Sequence, residues 1–318
     1  MSFETRQIGK TNVRVTSASF GCASIGNLYR EIMDADALEV LETAWDAGIR
    51  YFDTAPHYGR GLSEQRFGLF LQGKPRNDTV ISTKVGRVLS PGVQQEELDG
   101  FINPLPNDVR YDYSGDGIEA ALDGSRSRLG TKYIDIVYVH DIGTYTHGYA
   151  NAGHMEAFLG SGYERLTRLK ERGEIGAIGL GVNENEICIE IMQTYPVDVI
   201  LLAGRLTLLD RSAEETLVPM CRESGTSLVL GGVFNSGILA TGPVEGATYD
   251  YAPASPEILA AVASLKNKAE ANGLPLATAA LKFAQNHPQT ASVLIGTTKA
   301  STLLRNVEVL QTPYSVAQ

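Results

Sequence analysis

Four residues of types that exchange protons follow short apolar segments in the first half of the chain. Asp53 ends "IRYFD", Tyr58 lies in the loop after it, Lys84 ends "VISTK" and His140 ends "DIVYVH". A tyrosine is a weak acid, with a pKa near ~10, but a nearby ammonium favours the phenolate and an aspartate can hold that ammonium in place. A histidine beside the tyrosine can orient a carbonyl or assist the proton. This set suits hydride transfer to or from a carbonyl, with Tyr58 supplying or accepting the proton.

Taken one at a time, these residues have ordinary structural explanations. Asp53 suits a cap or a turn, Tyr58 a loop anchor and His140 a structural histidine. Lys84 suits a surface lysine whose aliphatic stem lies along apolar groups while its ammonium reaches water. Their joint occurrence at the ends of three successive apolar segments favours the chemical explanation.

Short apolar segments alternate with amphipathic segments along the whole chain. Eight of the apolar segments have the length and composition of strands, and nearly every one precedes a helical pattern. This alternation indicates a parallel sheet, and eight repeats favour a closed (β/α)8 TIM barrel, which typically takes ~250 residues. We therefore predict an α/β protein with a single barrel domain over residues 1–318. The predicted strands are 17–24, 49–54, 79–85, 133–141, 175–182, 197–204, 227–232 and 291–296.

Other segments predict the surroundings of the barrel. "FETRQI" and "VRV" flank "GKTN", which indicates an N-terminal β-hairpin. Two segments, 86–115 and 141–162, are too long for ordinary connections, and long loops in compact domains are usually functional. Both follow strands, so both are expected on the C-terminal face, where barrel enzymes carry their active sites.

Composition limits the classes of partner and compartment. The formal net charge of −10 argues against nucleic acid or an anionic membrane as a partner. The three cysteines form no C-x-x-C motif, which suits a reducing compartment without a disulfide framework. The N-terminus lacks the apolar segment of a signal peptide, and no apolar run approaches the ~20 residues that span a bilayer. A cytoplasmic protein is therefore expected.

A metal site is the one alternative chemistry that the histidines suggest. His140, His147 and His154 recur at intervals of seven residues. No predicted helix or strand places them on one face, however, and no cysteine accompanies them. We therefore expect no metal.

Several motifs in this order resemble the aldo-keto reductase superfamily, over nearly the whole chain. "FDTAPHYG" followed by "SE", then "STKVG" and "DIVYVHD", resemble the segments in which that family carries its catalytic residues. The positions correspond to Asp53, Tyr58, Lys84 and His140. The resemblance implies the barrel fold and a nicotinamide-dependent oxidoreductase. The rival dinucleotide-binding motif G-x-G-x-x-G does not occur.

The resemblance also implies cofactor contacts, for NAD or NADP. "IGLGVN" resembles the segment whose asparagine, here Asn183, holds the nicotinamide amide, and "VLGGVFNSGIL" resembles a loop that meets the pyrophosphate through Gly231 and Gly232. Leu206 stands where many members carry an aromatic residue that stacks on the nicotinamide, and an apolar side chain there can still cover the ring face. "LIGTTKASTLLRN" resembles the segment at the adenine ribose end. Its implied contacts are Gly296, Thr297, Thr298, Lys299, Arg305 and Asn306.

Two departures in that last segment favour NAD. Where many NADP-using members carry a lysine and an arginine that bind the 2′-phosphate, this chain has Gly296 and Thr302. Thr297 is able to bond a free ribose hydroxyl. Lys299 and Arg305 lie nearby, which leaves NADP open.

Within the superfamily, the long segment after the third strand and "VYVHD" resemble bacterial L-fucose and D-threo-aldose dehydrogenases, plant L-galactose dehydrogenase and pyridoxal 4-dehydrogenase. These enzymes oxidise a cyclic hemiacetal carbon to a lactone. The first hypothesis is therefore an NAD(P)-dependent aldose 1-dehydrogenase with a small sugar as substrate. Tyr145 and His147 are expected to line the substrate loop, beside Tyr58 and His140, and Asp141 either orients a sugar hydroxyl or caps its loop.

Other functions stay open at this stage. The second hypothesis is pyridoxal oxidation or a general NADPH-dependent aldehyde or ketone reductase. The third, from another class, is a nucleotide-binding sensor without useful turnover, and the intact set of four proton-exchanging residues weighs against it. Fold alone does not separate them.

Overall fold

A short hairpin begins the described part of the chain, residues 3–313 of the computed structural model. Strands β1 (Thr5–Gln7) and β2 (Arg14–Thr16) pair antiparallel, as the sequence predicts. Apolar side chains of this hairpin, Ile8, Val13 and Val15, pack in one cluster with barrel residues such as Tyr51 and Tyr138. The hairpin therefore closes the barrel at the N-terminal ends of its strands.

Eight parallel strands form the closed barrel, each paired with its neighbours in chain order. Every one of them overlaps a strand predicted from the sequence, so the predicted TIM barrel is confirmed. Apolar residues fill both the barrel and the layer between the strands and the helices. The strands are β3 (Ala18–Gly21), β4 (Tyr51–Asp53), β5 (Val80–Val85), β10 (Ile134–His140), β11 (Ile175–Val182), β12 (Val199–Ala203), β13 (Ser227–Gly231) and β16 (Thr290–Ile295).

Helices surround the barrel and connect its strands. Their apolar faces pack on the outside of the strands, which is the usual way for a parallel sheet to be covered. No helix among residues 3–313 is long and apolar enough to cross a membrane. The helices are α1 (Asp34–Asp46), α2 (Leu62–Leu71), α3 (Gly115–Leu129), α4 (Thr144–His147), α5 (Asn151–Ala157), α6 (Tyr163–Glu171), α7 (Glu186–Met192), α8 (Leu217–Ser224), α9 (Ile238–Thr241), α10 (Pro256–Ala271), α11 (Leu276–Asn286) and α12 (Ala300–Gln311).

Small antiparallel ribbons build the C-terminal rim. The long segment after β5 folds into two of them, and the segment after β13 contributes a third. These ribbons give the rim a defined shape where the sequence shows loops alone. They pair β6 (Arg87–Pro91) with β9 (Asn107–Tyr111), β7 (Glu97–Leu98) with β8 (Phe101–Ile102), and β14 (Thr248–Tyr249) with β15 (Ala252–Pro253).

Strand register brings the polar strand ends together. Asp53 on β4 pairs with Ser82 on β5, and Lys84 on β5 pairs with Tyr138 on β10. Alternate residues of a strand point to the same side, so Asp53, Lys84 and His140 all face the barrel interior at its C-terminal end. On the next strand, a Cβ at Gly179 would lie 2.5 Å from the Tyr138 ring, so a glycine is needed for this packing.

Candidate active site

A buried ion pair lies at the centre of the rim. The ammonium of Lys84 is 2.6 Å from Asp53 Oδ2, and both side chains are 1% exposed. Lys84 also donates to the carbonyl of Thr54 at 2.9 Å, and Ser82 donates to Asp53 Oδ1 at 2.7 Å. Burial by itself lowers the pKa of Lys84, but Asp53 and Tyr58 together outweigh it and the pKa is raised. The ammonium therefore stays charged.

Tyr58 lies against that ammonium. It begins a short 3-10 turn, Tyr58–Gly61, after β4, and Lys84 Nζ is 4.6 Å from the centre of its ring. Burial raises the pKa of Tyr58 above its ordinary value, while Lys84 acts in the opposite direction. The sequence predicts that a neighbouring ammonium favours phenolate. That influence is present, but burial outweighs it, because a phenolate loses more hydration than one ammonium restores.

His140 stands beside Tyr58 with its ring almost perpendicular. The two ring centres are 6.0 Å apart, at an interplanar angle of 89°. Burial, reinforced by the charges of Arg87 and Lys84, lowers the pKa of His140 well below its ordinary value, so the imidazole is neutral. Its Nδ1 is buried and has no hydrogen-bond partner among the described residues. The other nitrogen, Nε2, faces the Asp141 carboxylate and so carries the proton, which leaves Nδ1 as an acceptor. A substrate hydroxyl is the kind of group that would satisfy it.

A second polar network, centred on Asp141, runs beside this histidine. Asp141 Oδ2 lies 2.5 Å from Arg87 Nη2 and 3.3 Å from His140 Nε2, and Oδ1 accepts a hydrogen bond from Asn183 at 3.2 Å. The backbone of Asp141 is left-handed, with a φ of 47° that is uncommon outside glycine. The carboxylate thus ties β10, β11 and the segment after β5 together.

Two residues of the site were missed by the sequence analysis. Arg87 is 4% exposed and supplies the charge that balances Asp141. His57 lies between Phe101, at 5.4 Å between ring centres, and His140, at 6.0 Å. Burial and the nearby cations lower the pKa of His57 to about 2, and its buried Nδ1 also lacks a hydrogen-bond partner within residues 3–313. The sequence signal that could have indicated them is position: His57 directly precedes Tyr58, and Arg87 lies three residues after Lys84.

The two residues expected in the substrate loop differ in their surroundings. Tyr145 lies at the mouth of the site, half-exposed, and Arg205 lies over its ring at 5.8 Å. His147 instead bonds Tyr113, whose hydroxyl donates to the carbonyl of His140 at 2.6 Å and therefore accepts from His147 Nε2 at 2.8 Å. Through this contact His147 holds the loop, and the bonded nitrogen is already engaged with Tyr113.

A cavity of about 530 Å³ opens beside the site, at the ends of β13 and β16. Gly232 and Gly296 line it, together with Asn235 and Ser236, whose left-handed backbone turns the chain sharply. The volume lies in the range of small-molecule and cofactor pockets. These residues therefore fit an elongated ligand that extends from Asn183 along the rim, as a dinucleotide would.

The remaining cofactor candidates lie at three places. Gly231 is buried at the end of β13. Thr297, Thr298 and Lys299 lie just before α12, and Arg305 and Asn306 lie on its second turn. Lys299 and Arg305 are exposed, and neither forms an ion pair within residues 3–313. Leu206 is 1% exposed and belongs to the main hydrophobic core, so the structure does not place its side chain on the face of this cavity.

The described residues contain no group of three or more side chains that could hold a metal ion. The rings of His147 and His154 do lie 4.3 Å apart, but they pack with Tyr111 and Tyr113. This cluster is aromatic packing behind the loop.

Comparisons with known proteins agree with this geometry. The sequence profile of the Aldo/keto reductase family matches residues 18–318. Pyridoxal 4-dehydrogenase from Microbacterium luteolum is 41% identical, covering 96% of this chain and 92% of the relative. D-threo-aldose 1-dehydrogenase from a Pseudomonas species is 36% identical, covering 92% and 89%. A solved aldo-keto reductase from Bacillus halodurans, in its holo form, is 26% identical and superposes with a TM-score of 0.76 over 99% of this chain and 93% of that one.

Proposed function

The chain belongs to the aldo/keto reductase family of oxidoreductases, which use nicotinamide cofactors, and we propose that it oxidises the cyclic hemiacetal form of an aldose at C1 to the lactone, with NAD as hydride acceptor. The observation that carries this proposal is the buried Asp53–Lys84 pair against Tyr58 and His140. L-Fucose, L-galactose and D-threo-aldoses are the sugars to test first.

In the proposed reaction Tyr58 is the proton-transfer residue. A nicotinamide held at this rim would supply the hydride acceptor, which takes the hydride from C1. Tyr58, as phenolate, takes the proton from the C1 hydroxyl while the hydride leaves C1, so that the C–H and O–H bonds break and the lactone C=O forms. Lys84, held charged by Asp53, stabilises the phenolate, and neutral His140 orients the C1 oxygen. Asn183 and the cavity between β13 and β16 would hold the cofactor.

The unsatisfied imidazoles support a hydroxylated substrate. His57 Nδ1 and His140 Nδ1 are both buried beside Tyr58, and neither has a hydrogen-bond partner in the described part of the chain, although Asp99 Oδ2 lies 4.0 Å from His57 Nδ1. Buried polar groups are normally hydrogen-bonded, so a ligand with several hydroxyls is favoured over a simple aliphatic aldehyde. Asp141 is a further candidate to accept a hydrogen bond from a sugar hydroxyl.

Pyridoxal is the second candidate substrate. The wall formed by Phe101, His57 and Tyr58 offers aromatic faces and edges to a pyridine ring. The relative that is 41% identical is named pyridoxal 4-dehydrogenase. Both candidates share the oxidation of a cyclic hemiacetal, so they differ in the group that surrounds the reacting carbon.

NAD is proposed over NADP because the loop after β16 lacks the two usual phosphate partners. Gly296 has no side chain, and Thr302 accepts a hydrogen bond from Arg305 at 3.1 Å. That bond holds Arg305 along its own helix, which supports a ribose without a phosphate. Lys299 remains the cation that would favour NADP if it reached the ligand.

One experiment tests the reaction and the substrate together. The assay compares wild type with Tyr58→Phe and with a control, Tyr133→Phe, which alters a tyrosine at the opposite end of β10. Each protein is given aldoses, pyridoxal and aliphatic aldehydes, and turnover is followed by nicotinamide absorbance. Tyr58→Phe is expected to lower kcat by at least ~10²-fold with cofactor affinity nearly unchanged. Turnover of Tyr58→Phe within a few-fold of wild type would reject Tyr58. More efficient turnover of aliphatic aldehydes than of every aldose and pyridoxal would reject the substrate class.

A further inference from the structure

The tip of the β14–β15 hairpin is strained. Asp250 and Tyr251, the two residues between the strands, have φ values of 51° and 62°. Two-residue hairpin turns of this kind normally carry Asn-Gly or similar pairs, and a left-handed backbone in a bulky residue such as tyrosine is a genuine outlier. Such strain persists where surrounding contacts hold it, and it is concentrated at functional sites.

Contacts to the candidate site hold this tip in place. Asp250 pairs with Arg205 Nη2 at 2.7 Å, and Arg205 Nε donates to the backbone carbonyl of Asn183 at 2.7 Å. The Tyr251 backbone N–H donates to Ser236 Oγ at 3.0 Å. The Tyr251 hydroxyl then donates to Asn183 Oδ1 at 3.3 Å. One arginine thus anchors both the hairpin tip and the asparagine that the tip contacts.

The hydrogen bonds of Asn183 can be counted group by group. Its side-chain amide has two N–H donors and two acceptor lone pairs on Oδ1. Asp141 takes one donor at 3.2 Å, and Tyr251 occupies one lone pair. One N–H and one lone pair remain. A carboxamide ligand presents the matching acceptor and donor, whereas the opposite orientation of the Asn183 amide would lose both protein bonds.

From this count we propose that Tyr251 is a positioning residue that, together with Asp141, fixes the amide of Asn183 so that it recognises the carboxamide of the nicotinamide. The inference deepens the proposed function and rests on it, because it takes Asn183 as a cofactor contact. Tyr251 also lines the cavity between β13 and β16, so its ring lies along the same ligand path.

The test removes the hydroxyl alone. Tyr251→Phe is compared with Tyr249→Phe, a control on the same hairpin whose hydroxyl bonds Asp210 Oδ2 at 3.0 Å. Each protein is titrated by calorimetry with the dinucleotide that wild type prefers and with its 3-acetylpyridine analogue, which keeps the carbonyl but lacks the amide NH₂. Tyr251→Phe is expected to reduce the preference for the natural dinucleotide over the analogue by about 5-fold, the usual worth of one hydrogen bond. Tyr249→Phe should keep the wild-type preference.

The possible outcomes separate the two proposals. A wild-type preference in Tyr251→Phe would overturn the inference while leaving the proposed function intact. An equal loss of preference in Tyr249→Phe would also overturn it, because the effect would then belong to the hairpin as a whole. If wild type binds neither NAD nor NADP, both proposals fail.

Discussion

Replacing Lys84 by methionine separates the structural and chemical roles of the buried ion pair. Both partners are 1% exposed, and Lys84 Nζ lies 2.6 Å from Asp53 Oδ2. Lys84→Met leaves the Asp53 charge buried, with Ser82 still donating a hydrogen bond at 2.7 Å. Removing one partner of a buried pair typically costs about 3–5 kcal/mol, so the free energy of unfolding should fall by that amount. Activity should fall at least ~10²-fold, because Tyr58 loses the ammonium that stabilises its phenolate.

A double variant removes the charge that the single one leaves behind. In Asp53→Asn/Lys84→Met the amide oxygen at position 53 can still accept the Ser82 bond, and neither position carries a charge. The double variant should therefore recover at least half of the lost stability, while its activity stays as low as that of the single variant. The matched control is Lys170→Met, at a partly exposed pair with Asp198 near the other end of the barrel. It should cost less stability than Lys84→Met and keep activity.

Urea unfolding followed by the fluorescence of Trp45, the one tryptophan of the chain, gives the stabilities, and nicotinamide absorbance gives the rates. Two results would refute the reasoning. A double variant as unstable as Lys84→Met would mean that the uncompensated charge is not the source of the loss. Restored activity in the double variant would mean that Lys84 acts on the fold alone.

Three further predictions follow from the pKa shifts and the rim. Because burial raises the pKa of Tyr58 and lowers that of His140, kcat/KM for oxidation should rise continuously from about pH 5 to 10 without an inflection near 6.5. An inflection near 6.5 would contradict a neutral His140. The pKa of His57 is lowered to about 2, so the stability it contributes is present above the unfolded pKa of ~6.5 and is lost as the pH falls. Between pH 7 and 5 this loss is about 2 kcal/mol, so the free energy of unfolding of His57→Asn in urea should fall by that much less than that of wild type over the same range. An equal fall in both proteins would argue against the shift. Finally, kcat/KM should be higher with NAD than with NADP, and a tenfold preference for NADP, ~1.4 kcal/mol, would mean that Lys299 or Arg305 reaches a 2′-phosphate.

The sequence by itself determined the barrel and the four central positions. All eight strands follow from short apolar segments bounded by polar ones, and their order in the barrel is their order in the chain. Parallel strands that succeed one another lie side by side, so residues at the ends of β4, β5 and β10 had to meet. Asp53, Lys84 and His140 were therefore accessible to reasoning from local pattern, and Tyr58 was accessible from its place just after β4.

The tertiary structure decided the partners of those residues and the balance of their charges. Arg87 meets Asp141 across 54 positions of the chain, and Tyr251 meets Asn183 across 68. Leu206, a candidate for the cofactor face, lies in the core instead. Burial, which depends on every element packed around a group, reversed the expected direction of the Tyr58 pKa shift. The alternation of apolar and polar residues in a strand indicates which side of the strand faces inward. The contacts named here depend instead on the folded paths of the rim loops, where no repeating sequence pattern links a residue to its distant partner.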